Sequence, residues 1–147
     1  MSNATDLLRN RRRKHYCIAC GDHAGLLVPI SYQIALFVNN SGLQAGSPSG
    51  EVSTSGTAYA RQPVVFAVGT SNNIMQNGSE VLFPTPTADW GTIPYAGIFA
   101  EVAASTWELW WWNQLTNPNT GVPESITIVN DGARARFQAG KIKITLT

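Results

Sequence analysis

Ile30-Ser31-Tyr32-Gln33-Ile34-Ala35-Leu36-Phe37-Val38 is the stretch on which the reading of the fold turns. Its side chains alternate, with Ile30, Tyr32, Ile34, Leu36 and Val38 on one face and Ser31, Gln33, Ala35 and Phe37 on the other. A period of two belongs to a β-strand, not to a helix. Short runs of the same kind recur downstream at 62–68, 80–83, 95–101, 107–114, 126–129, 133–137 and 141–146. Turn formers such as Asn77-Gly78, Asp131-Gly132 and Ala139-Gly140 stand between them. The last run is the plainest, since Ile142, Ile144 and Leu146 oppose Lys141, Lys143 and Thr145. Eight short strands separated by turns predict an all-β fold, an antiparallel β-sandwich over residues 29–147.

Before Pro29 the pattern is different. The first 25 residues carry five cations, Arg9, Arg11, Arg12, Arg13 and Lys14, against Asp6 and Asp22, a net of +3, and the remainder carries −2. Asn3 or Thr5 is placed to cap a helix starting near Asp6, whose charge suits a helix N-terminus. Residues 1–28 are therefore expected to form a short helical, basic arm outside the sandwich, and Arg9, Arg11, Arg12, Arg13 and Lys14 are its candidate docking residues. The segment 39–56, rich in Asn, Ser, Gly and Pro, reads as a long surface loop.

At 147 residues the chain fits one domain. It is 44% hydrophobic and only 13% charged, which predicts a surface partly covered by something else. No apolar run approaches the roughly 20 residues of a membrane span, so no membrane partner is expected. The chain reads as one made in the cytoplasm, with no secretory leader.

Few residues point to chemistry. His15, Cys17, Cys20 and His23 offer four zinc-type ligands in nine residues. A structural zinc site usually draws a second ligand pair from a distant segment, so the favoured reading makes Cys17 and Cys20 small apolar packing residues and expects no metal or other cofactor. Glu101 and Glu108 flank a tryptophan-rich stretch, yet charged residues on the open face of a strand account for both without glycoside hydrolysis. No Gly-x-Ser-x-Gly elbow or phosphate-binding glycine loop occurs, and both histidines lie in the basic segment. No enzyme is predicted. Nucleic acid is not the expected partner either, because the basic run has no interleaved aromatic platform.

The unusual local feature is Trp107-Glu108-Leu109-Trp110-Trp111-Trp112. Strict alternation puts Trp107, Leu109 and Trp111 on one face and Glu108, Trp110 and Trp112 on the other. Aromatics on both faces mean cover on both: core with a loop, a neighbouring subunit, or a sugar ring stacked on indole. Trp107, Trp110, Trp111 and Trp112 are the candidate interface or sugar-stacking residues.

Read from end to end, an ordered set of phrases resembles the small proteins of tailed phages and prophages commonly labelled phage tail fibre proteins. The phrases are Leu7-Leu8, Ile34-Ala35-Leu36-Phe37, Gly50-Glu51-Val52, Ala58-Tyr59-Ala60-Arg61-Gln62, Val64-Val65-Phe66, Phe83-Pro84, Thr87-Ala88-Asp89-Trp90-Gly91-Thr92-Ile93, Gly97-Ile98-Phe99 and Phe137-Gln138-Ala139-Gly140. The resemblance implies a non-enzymatic structural component of the virion, a compact tail-fibre-type module held by contacts with other virion proteins, and a homo-oligomer, with a trimer among the options. A long fibre needs repeats or a coiled coil, and neither is present. Capsid decoration on the phage head and a carbohydrate-binding module for host adsorption are the alternatives.

Overall fold

The structure, a computed structural model, describes residues 3–5, 29–69, 71 and 74–145. Among these residues there is no α-helix, and every paired strand runs antiparallel to its neighbours. The strands are β1 (Asn3–Ala4), β2 (Tyr32–Phe37), β3 (Gln62–Val64), β4 (Phe66–Val68), β5 (Ile74–Asn77), β6 (Val81–Leu82), β7 (Gly91–Ile93), β8 (Tyr95–Ala103), β9 (Thr106–Gln114), β10 (Ile126–Ile128), β11 (Arg136–Phe137) and β12 (Lys143–Thr145). A five-stranded sheet in the order β1-β9-β8-β2-β3 dominates, accompanied by a three-stranded sheet β12-β5-β4 and two ribbons, β11-β6 and β10-β7.

The alternation in β2 survives in three dimensions. Ile34 and Leu36 enter a large apolar cluster with Ile98, Ala100 and Trp111 of the same sheet and with Val81, Phe83, Trp90, Ile93, Ile128, Ile142 and Ile144 from the smaller sheets and the segments beside them. Ala35 and Phe37 point the other way, into a second cluster with Leu43, Phe99 and Leu109. Both faces of the five-stranded sheet are therefore apolar and covered.

Several expectations need correction. Asn3–Ala4, assigned to a helical arm, form an edge strand against Trp111 and Trp112, and the Thr5 amide donates to Trp110 O at 2.8 Å. A helix from about Asp6 lies outside the described residues. Ile30 and Val38 are not part of β2 and are 65% and 40% exposed, because the inward row ends with Leu36. The run 62–68 is two strands in different sheets, separated at Val65.

The segment 39–56 is more than a surface loop. Leu43 is fully buried under the second cluster, and residues 50–52 extend the sheet beside β2 through Val38 N–H to Gly50 O (2.8 Å) and Val52 N–H to Leu36 O (3.0 Å). Gly50 has φ 92°, and a side chain there would collide with Asn39. That position requires glycine.

Asn77, expected in a turn, ends β5 at 1% exposure with its polar groups all occupied. Its amide donates to Ile142 O and its carbonyl accepts from Gly140, while Nδ2 donates to Ser79 O and Gln138 O and Oδ1 accepts from the Ile142 amide. A buried amide with this many partners specifies one arrangement of the chain around it. Here it joins the β5–β6 connection to the β11–β12 connection.

Candidate functional site

The tryptophan strand shows how a local irregularity overrides alternation. Ile98 faces Trp111 across the β8–β9 ladder, but the next residue, Phe99, faces Leu109. Trp110 is thus the extra residue of a β-bulge. A bulge shifts parity by one, so every side chain beyond it changes face. Trp107, Leu109 and Trp112 consequently share the second cluster, while Trp110 and Trp111 lie in the first. The expected grouping of Trp111 with Trp107, and of Trp112 with Trp110, is corrected for that reason.

Trp110 and Trp111 are 6% and 5% exposed, and their rings meet edge to face at 5.5 Å. Trp110 Nε1 donates to Glu108 Oε2 at 3.1 Å. Trp107 and Trp112 are half-buried, Trp112 packing edge to face on Tyr95 at 6.1 Å. Glu101 does not converge with Glu108 into a carboxylate pair. It accepts instead from Ser31 Oγ (2.7 Å) and from the Ser105 amide (3.0 Å), and these two bonds hold its carboxyl below the ordinary range.

The polar groups that do converge are Glu51, Tyr59 and Arg61. Arg61 grips Glu51 with a two-pronged pair, Nε to Oε1 at 2.8 Å and Nη2 to Oε2 at 2.6 Å, and its guanidinium carbon lies 3.6 Å from the centre of the Phe99 ring. The Tyr59 hydroxyl donates to Glu51 Oε1 at 3.1 Å and accepts from the Leu36 amide at 2.9 Å. Burial, followed by the adjacent Glu51 charge, raises the Tyr59 pKa far above its usual value, so it remains a neutral donor.

Around Tyr59, Phe83 stacks at 6.1 Å and Trp90 meets it edge-on at 5.3 Å, with Trp90 Nε1 donating to Thr57 O at 2.8 Å. A shallow, open depression of about 600 Å³ lies above this group, lined by Pro48, Val52, Ser53 and Thr54 as well as the three polar residues. Chemically the trio is closed, since the guanidinium, carboxylate and phenol are spent on one another. It joins the two apolar clusters, with Tyr59 in the first and Arg61 lying over Phe99 of the second.

Sequence reasoning noted the phrases around Glu51, Tyr59, Arg61 and Trp90 without foreseeing that they meet. One signal was present: between Asp22 and Glu80, Glu51 and Arg61 are the only acidic or basic residues apart from His23. Two lone opposite charges in a long uncharged stretch are best placed against each other.

Arg9, Arg11, Arg12, Arg13 and Lys14, and the zinc-type set His15, Cys17, Cys20 and His23, lie outside the described residues. Among the described residues no three His, Cys, Asp or Glu side chains gather into a metal-holding group. No curated protein and no solved structure matches the chain. Residues 23–145 match the model of one protein family, described as Podophage GP4 fiber I protein gp80. The match runs from just before β2 through β12 and takes in the Glu51–Tyr59–Arg61 group, both apolar clusters and the bulged tryptophan strand. The chain therefore belongs to this family of podophage fibre proteins.

Proposed function

We propose that the protein is a non-enzymatic structural module of a podophage particle, attached to its tail apparatus by protein–protein contacts. The observation that carries this reading is the fibre-family match across 23–145. The polar chemistry agrees with it, since Glu51, Tyr59 and Arg61 are spent on one another and link two apolar clusters. We read the sheets as a β-sandwich, with the five-stranded sheet as one layer and the three-stranded sheet and ribbons as the other, because all contribute to one core cluster.

The basic segment remains a docking element in this reading, with a changed attachment. Thr5 is bonded to β9 and Ile30 N–H donates to Glu101 O of β8 at 2.8 Å, so the described residues on both sides of the basic segment are tied to the five-stranded sheet. Of the four tryptophans of β9, Trp107 and Trp112 keep exposed area, and an interface role for the strand rests on them.

Quantitative mass spectrometry of purified particles tests the assignment. A fibre module is expected in a small copy number set by closed symmetry, in multiples of three or six. Hundreds of copies per particle would transfer it to the capsid surface. Absence from the particle would refute the reading. Deleting residues 6–14, which leaves β1 in place, is expected to give a folded protein that no longer joins the particle.

A further inference from the structure

Alternation in the C-terminal strands separates residues by chemistry. Ala135, Phe137, Ile142 and Ile144 belong to or pack against the first cluster, whereas Arg134, Arg136, Lys141 and Lys143 are all exposed. Arg136 pairs across the ladder with Leu82 and Lys143 with Gln76, while Asn77 is bonded to Gln138 and Gly140 of the connection between β11 and β12. The four cations are therefore exposed along the chain ribbon 134–143, alternating with the residues that enter the core.

This clustering is not a consequence of general surface charge. Among the described residues the cations are Arg61 and these four, and Arg61 is committed to Glu51. Arg136, Lys141 and Lys143 pair with no carboxylate among the described residues. Glu80 and Asp131 are the acids in the segments 62–68, 74–83 and 131–145, two carboxylates against four cations. Cations at alternate positions of a strand stand roughly 7 Å apart and repel one another. Arg134 is fixed further, its Nε donating to Phe83 O at 2.7 Å.

We propose that the ribbon bearing Arg134, Arg136, Lys141 and Lys143 is a docking surface for an acidic protein face on a neighbouring virion component. The proposal rests on the structural-module reading above and supplies its partner chemistry. Phe83 is buried and Phe66 and Phe137 are partly buried against the core, so no aromatic ring in these segments stands fully exposed for a base or a sugar to stack on. Recognition here is by charge, which favours a carboxylate-bearing protein surface. Such a contact accelerates encounter and weakens with salt.

The test combines Arg136→Gln, Lys141→Gln and Lys143→Gln in the full-length chain and leaves Arg134 in place. These side chains point outward, so the melting temperature is expected to stay close to that of the parent protein. Particles lacking the protein are then supplied with parent or variant. The proposal expects parent incorporation that falls as salt is raised and variant incorporation reduced on the order of ten-fold near physiological salt. Equal incorporation of a folded variant overturns it.

A second measurement separates this failure from that of the structural reading. Full-length protein is titrated with poly-L-glutamate and with a single-stranded oligonucleotide of equal charge. Tighter binding of polyglutamate, lost in the variant, supports the surface even if the parent protein does not join the particle. Preference for the oligonucleotide overturns it in favour of nucleic acid.

Discussion

The two faces of the five-stranded sheet are both apolar, but they are covered by different means. One face packs against strands drawn from almost the whole second half of the chain, β5, β6, β7, β10 and β12, and buries Phe83, Ile93 and Ile144 completely or nearly so. The other is closed mainly by one side chain from a loop, Leu43, and rimmed by the half-buried rings of Tyr95, Trp107 and Trp112. The first face is secured by many contacts distant in sequence. The second depends on a loop whose shape is fixed by Gly50 and by the Glu51–Arg61 pair.

Phe83→Ala is expected to have the largest effect, about 3–5 kcal/mol by chemical denaturation, because a fully buried ring contacting Tyr59, Trp90 and Phe137 leaves a void that strands on several sides cannot fill. Leu43→Ala is expected to cost less, about 2–3 kcal/mol, since a loop can settle into the space. Its distinctive mark is increased binding of a hydrophobic dye with the main unfolding transition preserved. A cost equal to that of Phe83→Ala would erase the distinction between the faces.

Tyr59→Phe examines the joint between them. Removing the hydroxyl leaves the Leu36 amide without its 2.9 Å acceptor and takes one of two donors from Glu51 Oε1, which keeps its bond from Arg61 Nε, at a cost of about 1–3 kcal/mol. A loss below about 0.5 kcal/mol would show that the joint contributes through ring packing alone.

Gly97→Ala tests the second face from beneath. A Cβ there stands 2.7 Å from Leu109 Cδ1 and 3.0 Å from Phe37 Cε2, so the substitution overpacks that cluster. The expected loss is about 1–2 kcal/mol, smaller than for a rigid core because the Leu43 side can yield.

The smallest expected effect concerns pH. Glu101 has a depressed folded-state pKa from its Ser31 and Ser105 hydrogen bonds, so its stabilising contribution is present above the unfolded carboxylate pKa and is lost as pH falls through the folded value. Comparing melting temperatures of the parent and Glu101→Gln from neutral to acidic pH is expected to show a modest difference that closes on acidification. A difference that widens would reverse the sign assigned to this carboxylate.

Alternation in 30–38 and 141–146 determined a great deal by itself. It gave an all-β body after Pro29, the position of β2, and the separation of Ile142 and Ile144 from Lys141 and Lys143, because period-two patterning is a property of neighbouring residues and needs no partner to be visible. The resemblance of ordered phrases to phage tail fibre proteins was also legible, and the family match bears it out. What the sequence did not contain in readable form were events that depend on a second strand. The bulge at Trp110 exists only relative to β8, and it moved Trp111 and Trp112 to opposite faces from those alternation assigns. The pairing of Asn3–Ala4 with β9 is equally non-local, as two residues carry no period of their own. Burial of Leu43, Asn77 and the Glu51–Arg61 pair likewise depended on which distant backbone groups came to lie beside them, so the tertiary structure alone decided that a segment with the composition of a loop would close one face of the sheet.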